Sequence, residues 1–184
     1  IWMQKLIKSS GYKGPVLVAS RGIVPIKSKP EPGHKGHGHG EVDPHAWHDI
    51  YNVTRYVDNI AFDLGRIDPE NKAFYQKNAS AYKAALSALD AELKKQFNQI
   101  EKNRRRILVS HDAFAYLARR YGLIIISLQG VNPEAEATAA DMAKVIRQIK
   151  TNQVRAIFVE NISDERLLKQ ISRETGVAIG GVLF

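Results

Sequence analysis

Over residues 106–184, short apolar runs alternate with amphipathic stretches, and no tight hairpin turn joins one run to the next. Residues 107–109 predict a strand, residues 112–121 a helix closed by Gly122, and residues 123–128 a second strand. Asn132-Pro133-Glu134 opens the next predicted helix, whose apolar face is carried by Ala139, Met142, Ala143, Ile146 and Ile149. A third strand is predicted over 156–159, a helix from the cap Ser163 through Thr175-Gly176, and a last strand over 177–184. Strands alternating with helices in this way imply an α/β fold: a parallel sheet covered on both faces.

Upstream the periods lengthen. Residues 2–9 read as the tail of an amphipathic helix closed by Ser9-Ser10-Gly11, and residues 15–19, an apolar run between turn residues, predict a strand. A helix opened by Asp43 is expected to reach Leu64, with Trp47, Ile50, Tyr51, Val57, Ile60 and Ala61 on its apolar face and Gly65 ending it. Another opens at Asp68-Pro69-Glu70, carries Tyr75, Tyr82, Leu86, Leu89, Leu93, Phe97 and Ile100, and runs to about Lys102. At 1.5 Å per residue it is roughly 50 Å long, a length suited to a strut between lobes. The expected organisation is therefore a first lobe over 1–65, a linking helix over 66–104 and a second lobe over 105–184. Because the chain opens at Ile1 in mid-helix sequence, the first lobe is expected to be incomplete and the chain a fragment or trimmed polypeptide.

Composition changes this picture in three places. Residues 27–41 shift abruptly to glycine, proline, lysine and histidine, which predicts an exposed, mobile loop bearing His34, His37 and His39. Its imidazoles could hold metal only weakly, since ordering backbone costs about 1–2 kcal/mol per residue. The chain has no cysteine, which removes disulfides, zinc ribbons and thiol nucleophiles. The net charge of +8 is spread along the chain, and its one tight run, Lys102 to Arg106, falls at a predicted helix end where cations are favoured. Nucleic-acid binding is accordingly not expected. No apolar run approaches the roughly 20 residues that span a bilayer, and no stretch has the form of a signal peptide.

Two stretches look alike: Asp43-Pro44-His45-Ala46-Trp47-His48-Asp49 and Ser110-His111-Asp112-Ala113-Phe114. In each a capping residue precedes a histidine, so both rings are expected in the first turn of a helix, where partial positive charge favours the neutral imidazole that a metal requires. His111 also follows a predicted strand, at the edge where open α/β folds bind ligands. His45 and His111 are the expected metal ligands, one from each lobe, with His48 as second choice. The same dipole repels a cation, so acidic groups are expected close by, with Asp43, Asp49, Asp112 and Glu160 as candidates. The alternative is a metal-dependent hydrolase with Glu160 or Asp112 as base on an activated water, although no His-Glu-x-x-His helix is present.

The Asp43-Pro44-His45-Ala46-Trp47 and Ser110-His111-Asp112-Ala113-Phe114 motifs, with the long helix between them, resemble the metal-binding solute-binding proteins of bacterial zinc and manganese ABC importers. Glu134-Ala135-Glu136-Ala137-Thr138 and Phe158-Val159-Glu160 resemble later segments of that family, so the likeness covers essentially the whole chain. It implies two parallel-sheet lobes bridged by a rigid helix, a His-rich loop guarding the cleft, and capture of zinc or manganese at His45 and His111. It also implies a monomer, periplasmic or at the cell surface, that delivers metal to a membrane permease and catalyses nothing. The family's other two ligands, an early histidine and a late acidic residue, fall outside residues 1–184 on this likeness. Family members with histidine where His111 stands lean toward zinc, whereas manganese binders typically carry glutamate there.

Overall fold

The computed structural model describes residues 2–27, 42–128, 138–161 and 165–183. The chain divides into two compact units, Ile1–Ile23 with Thr54–Leu86, and Val24–Val53 with Ser87–Phe184.

The first unit is helical. Helix α1 (Trp2–Ser9) ends where the Ser9 and Ser10 hydroxyls donate to the Lys5 and Ile7 carbonyls, at 2.8 and 2.9 Å, and Gly11 turns the chain with φ +71°. The run at 15–19, expected as a strand, is not one: Val16 and Val18 are each 55% exposed. Among the described residues no neighbouring strand lies beside it, and an apolar run without a ladder partner gains nothing from the extended form. Helix α2 (Ile50–Ile67) instead fastens the segment that follows, for Asn59 Nδ2 donates to the Ala19 and Arg21 carbonyls at 2.7 and 2.8 Å. The Arg21 guanidinium reaches the buried Asp63 carboxylate at 3.4 Å.

Gly65 does not stop α2. A Cβ there would stand 2.9 Å from Lys72 Cγ, so the glycine permits close approach of the next helix, and the chain turns at Asp68. The Asp68 carboxylate accepts bonds from Asn71 Nδ2 and the Tyr75 hydroxyl, which fixes a single 3-10 turn (Pro69–Asn71) before α3 (Lys72–Gln99) begins. Helix α3 has 28 residues, roughly 42 Å at 1.5 Å per residue, so the expected long helix is present. The boundary between the two compact units falls within it, between Leu86 and Ser87.

The second unit is built on one parallel four-stranded sheet in the order β2-β1-β3-β4, with β1 Arg106–Val109, β2 Ile124–Ser127, β3 Ala156–Glu160 and β4 Ile179–Leu183. Helices α4 (Ala115–Tyr121), α5 (Ala139–Asn152) and α6 (Glu165–Thr175) connect the strands. Strand side chains alternate between faces. Leu108, Ile157 and Val159 join Val145, Ile149, Leu168 and Ile171 of α5 and α6 in one core, and Ile107, Val109 and Phe158 join Phe114 and Leu117 around α4 in the other. Each fully buried aliphatic contributes about 1.5–3 kcal/mol, so the alternation is what holds β1 and β3 side by side. Gly122, at φ +70°, closes α4 by donating to the Ala118 carbonyl.

The predicted α/β class, the parallel sheet and the order of its elements are all present, with ends shifted by one to three residues. The helix start at Asn132, the cap Ser163 and the loop histidines His34, His37 and His39 lie outside the described residues.

Candidate metal centre

The first half of the site is local. Asp43 is buried, and its Oδ1 accepts a bond from the His45 amide at 2.8 Å while standing 2.8 Å from His45 Nδ1. The chain then makes only one 3-10 turn, Ala46–His48, before Asp49 restarts it: Asp49 Oδ1 accepts from the Tyr51 amide at 3.0 Å and its carbonyl from the Asn52 amide at 2.9 Å. The single helix expected from Asp43 is therefore two elements. Two aspartates six residues apart each bond an amide two positions on, and each starts a new turn of the chain. Asn52 Nδ2 donates to the Ala46 carbonyl at 2.9 Å and holds the turn against α2.

The second half is assembled across the sheet. Strand β1 ends at Val109, and His111 lies in the loop four residues before α4, not in the helix's first turn as expected. Ser110 does not cap α4; the residue preceding that helix is Phe114, which makes no side-chain cap. The Ser110 and His111 amides donate instead to Glu160 Oε1, at 2.9 and 3.1 Å, and Glu160 Oε2 meets His111 Nδ1. Glu160 ends β3, which pairs with β1, so strand register delivers the carboxylate to the loop. It is 4% exposed. Burial pushes the Glu160 carboxyl up, but the bonds from the His111 ring and the two amides outweigh it and hold the group below the usual carboxylate range.

The His45 and His111 rings face each other with centroids 5.4 Å apart and planes at 71°. Each Nδ1 is engaged by a carboxylate, which leaves Nε2 as the free donor on both rings. Two imidazoles bound through Nε2 at about 2.0–2.1 Å to one tetrahedral ion have centroids roughly 5 Å apart, close to the separation of this pair. Both histidines belong to the same compact unit, where the sequence suggested one from each lobe. His48 stands further off, 6.5 Å from His45 and packed at 4.7 Å on Phe114. Burial, and then His45 beside it, lower its pKa.

Of the four acidic candidates, Asp43 and Glu160 tether the histidines. Asp49 is buried and turned to Arg119 and Arg120 at 3.6 and 3.3 Å, and Asp112 lies in the loop after His111. Among the described residues, no group of three or more His, Cys, Asp or Glu side chains is arranged to hold a metal. Sequence reasoning missed Tyr116 and Arg120. Tyr116 is fully buried; its hydroxyl accepts from the Ile26 amide at 2.9 Å and donates to the Asp43 carbonyl at 3.0 Å. Arg120 grips Asp90 of α3 with two bonds, at 2.7 and 2.6 Å, while also facing Asp49. Their spacing of four, one face of a short helix directly after His111, was the available signal.

The profile of the family described as zinc-uptake complex component A, periplasmic (ZnuA), matches residues 1–184. The chain belongs to this family. It is 36% identical over 145 residues to the manganese ABC transporter substrate-binding lipoprotein PsaA of Streptococcus pneumoniae, covering 79% of this chain and 47% of that protein. It is 33% identical over 183 residues to the iron-binding protein YfeA of Yersinia pestis, covering 100% of this chain and 57% of that protein. Among solved structures, the periplasmic zinc binding protein TroA of Treponema pallidum matches with TM-score 0.82 and 26% identity, over 99% of this chain and 65% of that one. A manganese-bound mutant of a periplasmic metal binding protein from Candidatus Liberibacter asiaticus matches with TM-score 0.79 and 27% identity, over 92% and 60%. The chain thus spans about half the length of the curated relatives it matches.

Proposed function

We propose that the protein captures a divalent transition metal, zinc or manganese, between His45 and His111 and hands it to the membrane permease of an ABC importer. It works as a monomer, in the periplasm or at the cell surface, and catalyses no reaction. The observation that carries this reading is the pair of rings 5.4 Å apart, each with Nδ1 tethered to a buried carboxylate. That tether fixes the tautomer and raises the basicity of the opposite nitrogen, a pattern that imidazoles use to hold metals. The two carboxylates also offset the charge of a bound cation. Relatives described as binding manganese, zinc and iron support a divalent ion, and two imidazole donors favour zinc. Two imidazoles fill half of a tetrahedral sphere and leave room for further nitrogen or oxygen ligands. Glu160 serves the His111 ring and two amides, which leaves it poorly placed to act as a hydrolytic base.

Calorimetric titration of the full-length protein with zinc and with manganese tests the reading. His111→Ala is expected to weaken binding at least about 100-fold, more than loss of an outer partner would. Equal affinity before and after the substitution would sink the assignment.

A further inference from the structure

We propose that Tyr116 is a positioning residue of the metal site, acting through Asp43 on His45; this rests on the metal-binding reading above. Its hydroxyl is the junction of two segments remote in sequence. It takes the Ile26 amide proton at 2.9 Å and gives its own to the Asp43 carbonyl at 3.0 Å. The Asp43 amide in turn donates to the Ile26 carbonyl at 2.8 Å, and Lys27 pairs with Val42 as an antiparallel bridge. Residues 26 and 43 are thereby closed into a ring of hydrogen bonds with one side-chain oxygen at its centre.

Asp43 is the residue whose carboxylate fixes the amide and Nδ1 of His45. Holding its backbone therefore holds the ring. Tyr116 sits on α4, five residues after His111, so one short helix that follows one histidine anchors the segment bearing the other. Two further contacts of α4 point the same way: Arg120 and Arg119 face Asp49, just past the 3-10 turn, at 3.3 and 3.6 Å. The separation of the two imidazoles is set by this helix, and among the described residues the Tyr116 hydroxyl is a fully buried polar link from it to the His45 segment.

Tyr116→Phe removes a single oxygen and keeps the packed ring. Zinc affinity of the full-length wild type, Tyr116→Phe and His111→Ala is to be measured by calorimetry, at a temperature where circular dichroism shows all three folded. Tyr116→Phe is expected to bind zinc about tenfold more weakly, the usual scale for loss of an outer partner, and its cobalt complex to show a displaced visible band. If it binds zinc as the wild type does while His111→Ala does not, the positioning role is refuted and the metal site stands. If His111→Ala also binds normally, the metal reading itself fails. Should Tyr116→Phe not fold, amide exchange of the wild type decides the matter. Because coupling is reciprocal, zinc saturation should slow exchange at Ile26 and Asp43 by about tenfold, and unchanged exchange overturns the proposal.

Discussion

The two halves of the candidate site do the same job with opposite constructions. His45 takes its carboxylate from two residues upstream, and His111 takes its carboxylate from 49 residues downstream on a neighbouring strand. Asp43 forms its bonds in any chain that turns at that point, because the donor amide and the ring are already near. Glu160 reaches His111 only when β1 and β3 are paired and both cores are packed. The local half can thus form early and fluctuate, whereas the remote half exists only with the sheet. Bringing the two rings together therefore depends on the packing of the second unit.

Glu160→Gln is the hardest blow to this comparison. The carboxylate accepts from two amides through Oε1 and meets the His111 ring through Oε2 while 4% exposed; glutamine keeps one oxygen for the two amides but sets an NH2 against His111 Nδ1 and removes the buried charge opposite it. The expected cost is roughly 2–4 kcal/mol of stability by urea unfolding, with zinc affinity reduced about 10–100-fold. A variant as stable and as tight-binding as the wild type would mean that the remote tether holds nothing.

Asp43→Asn tests the local half and should hurt less. The side chain still accepts from the His45 amide through its remaining oxygen but loses the charge opposite Nδ1. About 1 kcal/mol of stability and about tenfold in zinc affinity are expected, from the same two measurements. If its effect on stability exceeds that of Glu160→Gln, the ranking of local and remote halves is inverted.

The same distinction explains what was legible in the chain. The alternation of apolar runs after residue 105 has no competing reading, and the four parallel strands lie where it put them. The run at 15–19 carries the same local signal, but whether an apolar run becomes a strand depends on a partner, which no local pattern states. The paired motifs singled out His45 and His111, and the structure brings their two rings together. Their expected place inside helices failed because Asp49 and Phe114, not Asp43 and Ser110, mark where α2 and α4 begin. Glu160 was named from its position at a sheet edge, yet its bonds to two amides need the register of β1 against β3. Tyr116 was passed over for a related reason: its spacing with Arg120 marks a helix face, but a tyrosine on an amphipathic helix reads as core, and nothing local says that its hydroxyl meets residues 26 and 43.

His48 offers the finest test, because it belongs to the local half but its ring rests on the loop that bears His111. Packing on Phe114 at 4.7 Å removes it from water, and His45 stands 6.5 Å away, so burial first and the neighbouring imidazole second disfavour its protonated form. Its titration, followed by proton NMR of the ring, should fall below its ordinary value of 6.5. The sign follows from proton counting: the unfolded chain binds this proton more readily, so the contribution to stability is complete above pH 6.5 and declines as pH drops toward the folded value. Phe114→Ala reopens the ring to solvent and should move the titration back up. A His48 that titrates at or above 6.5 in the unaltered protein would show that the two loops do not pack as closely as the half-sites require.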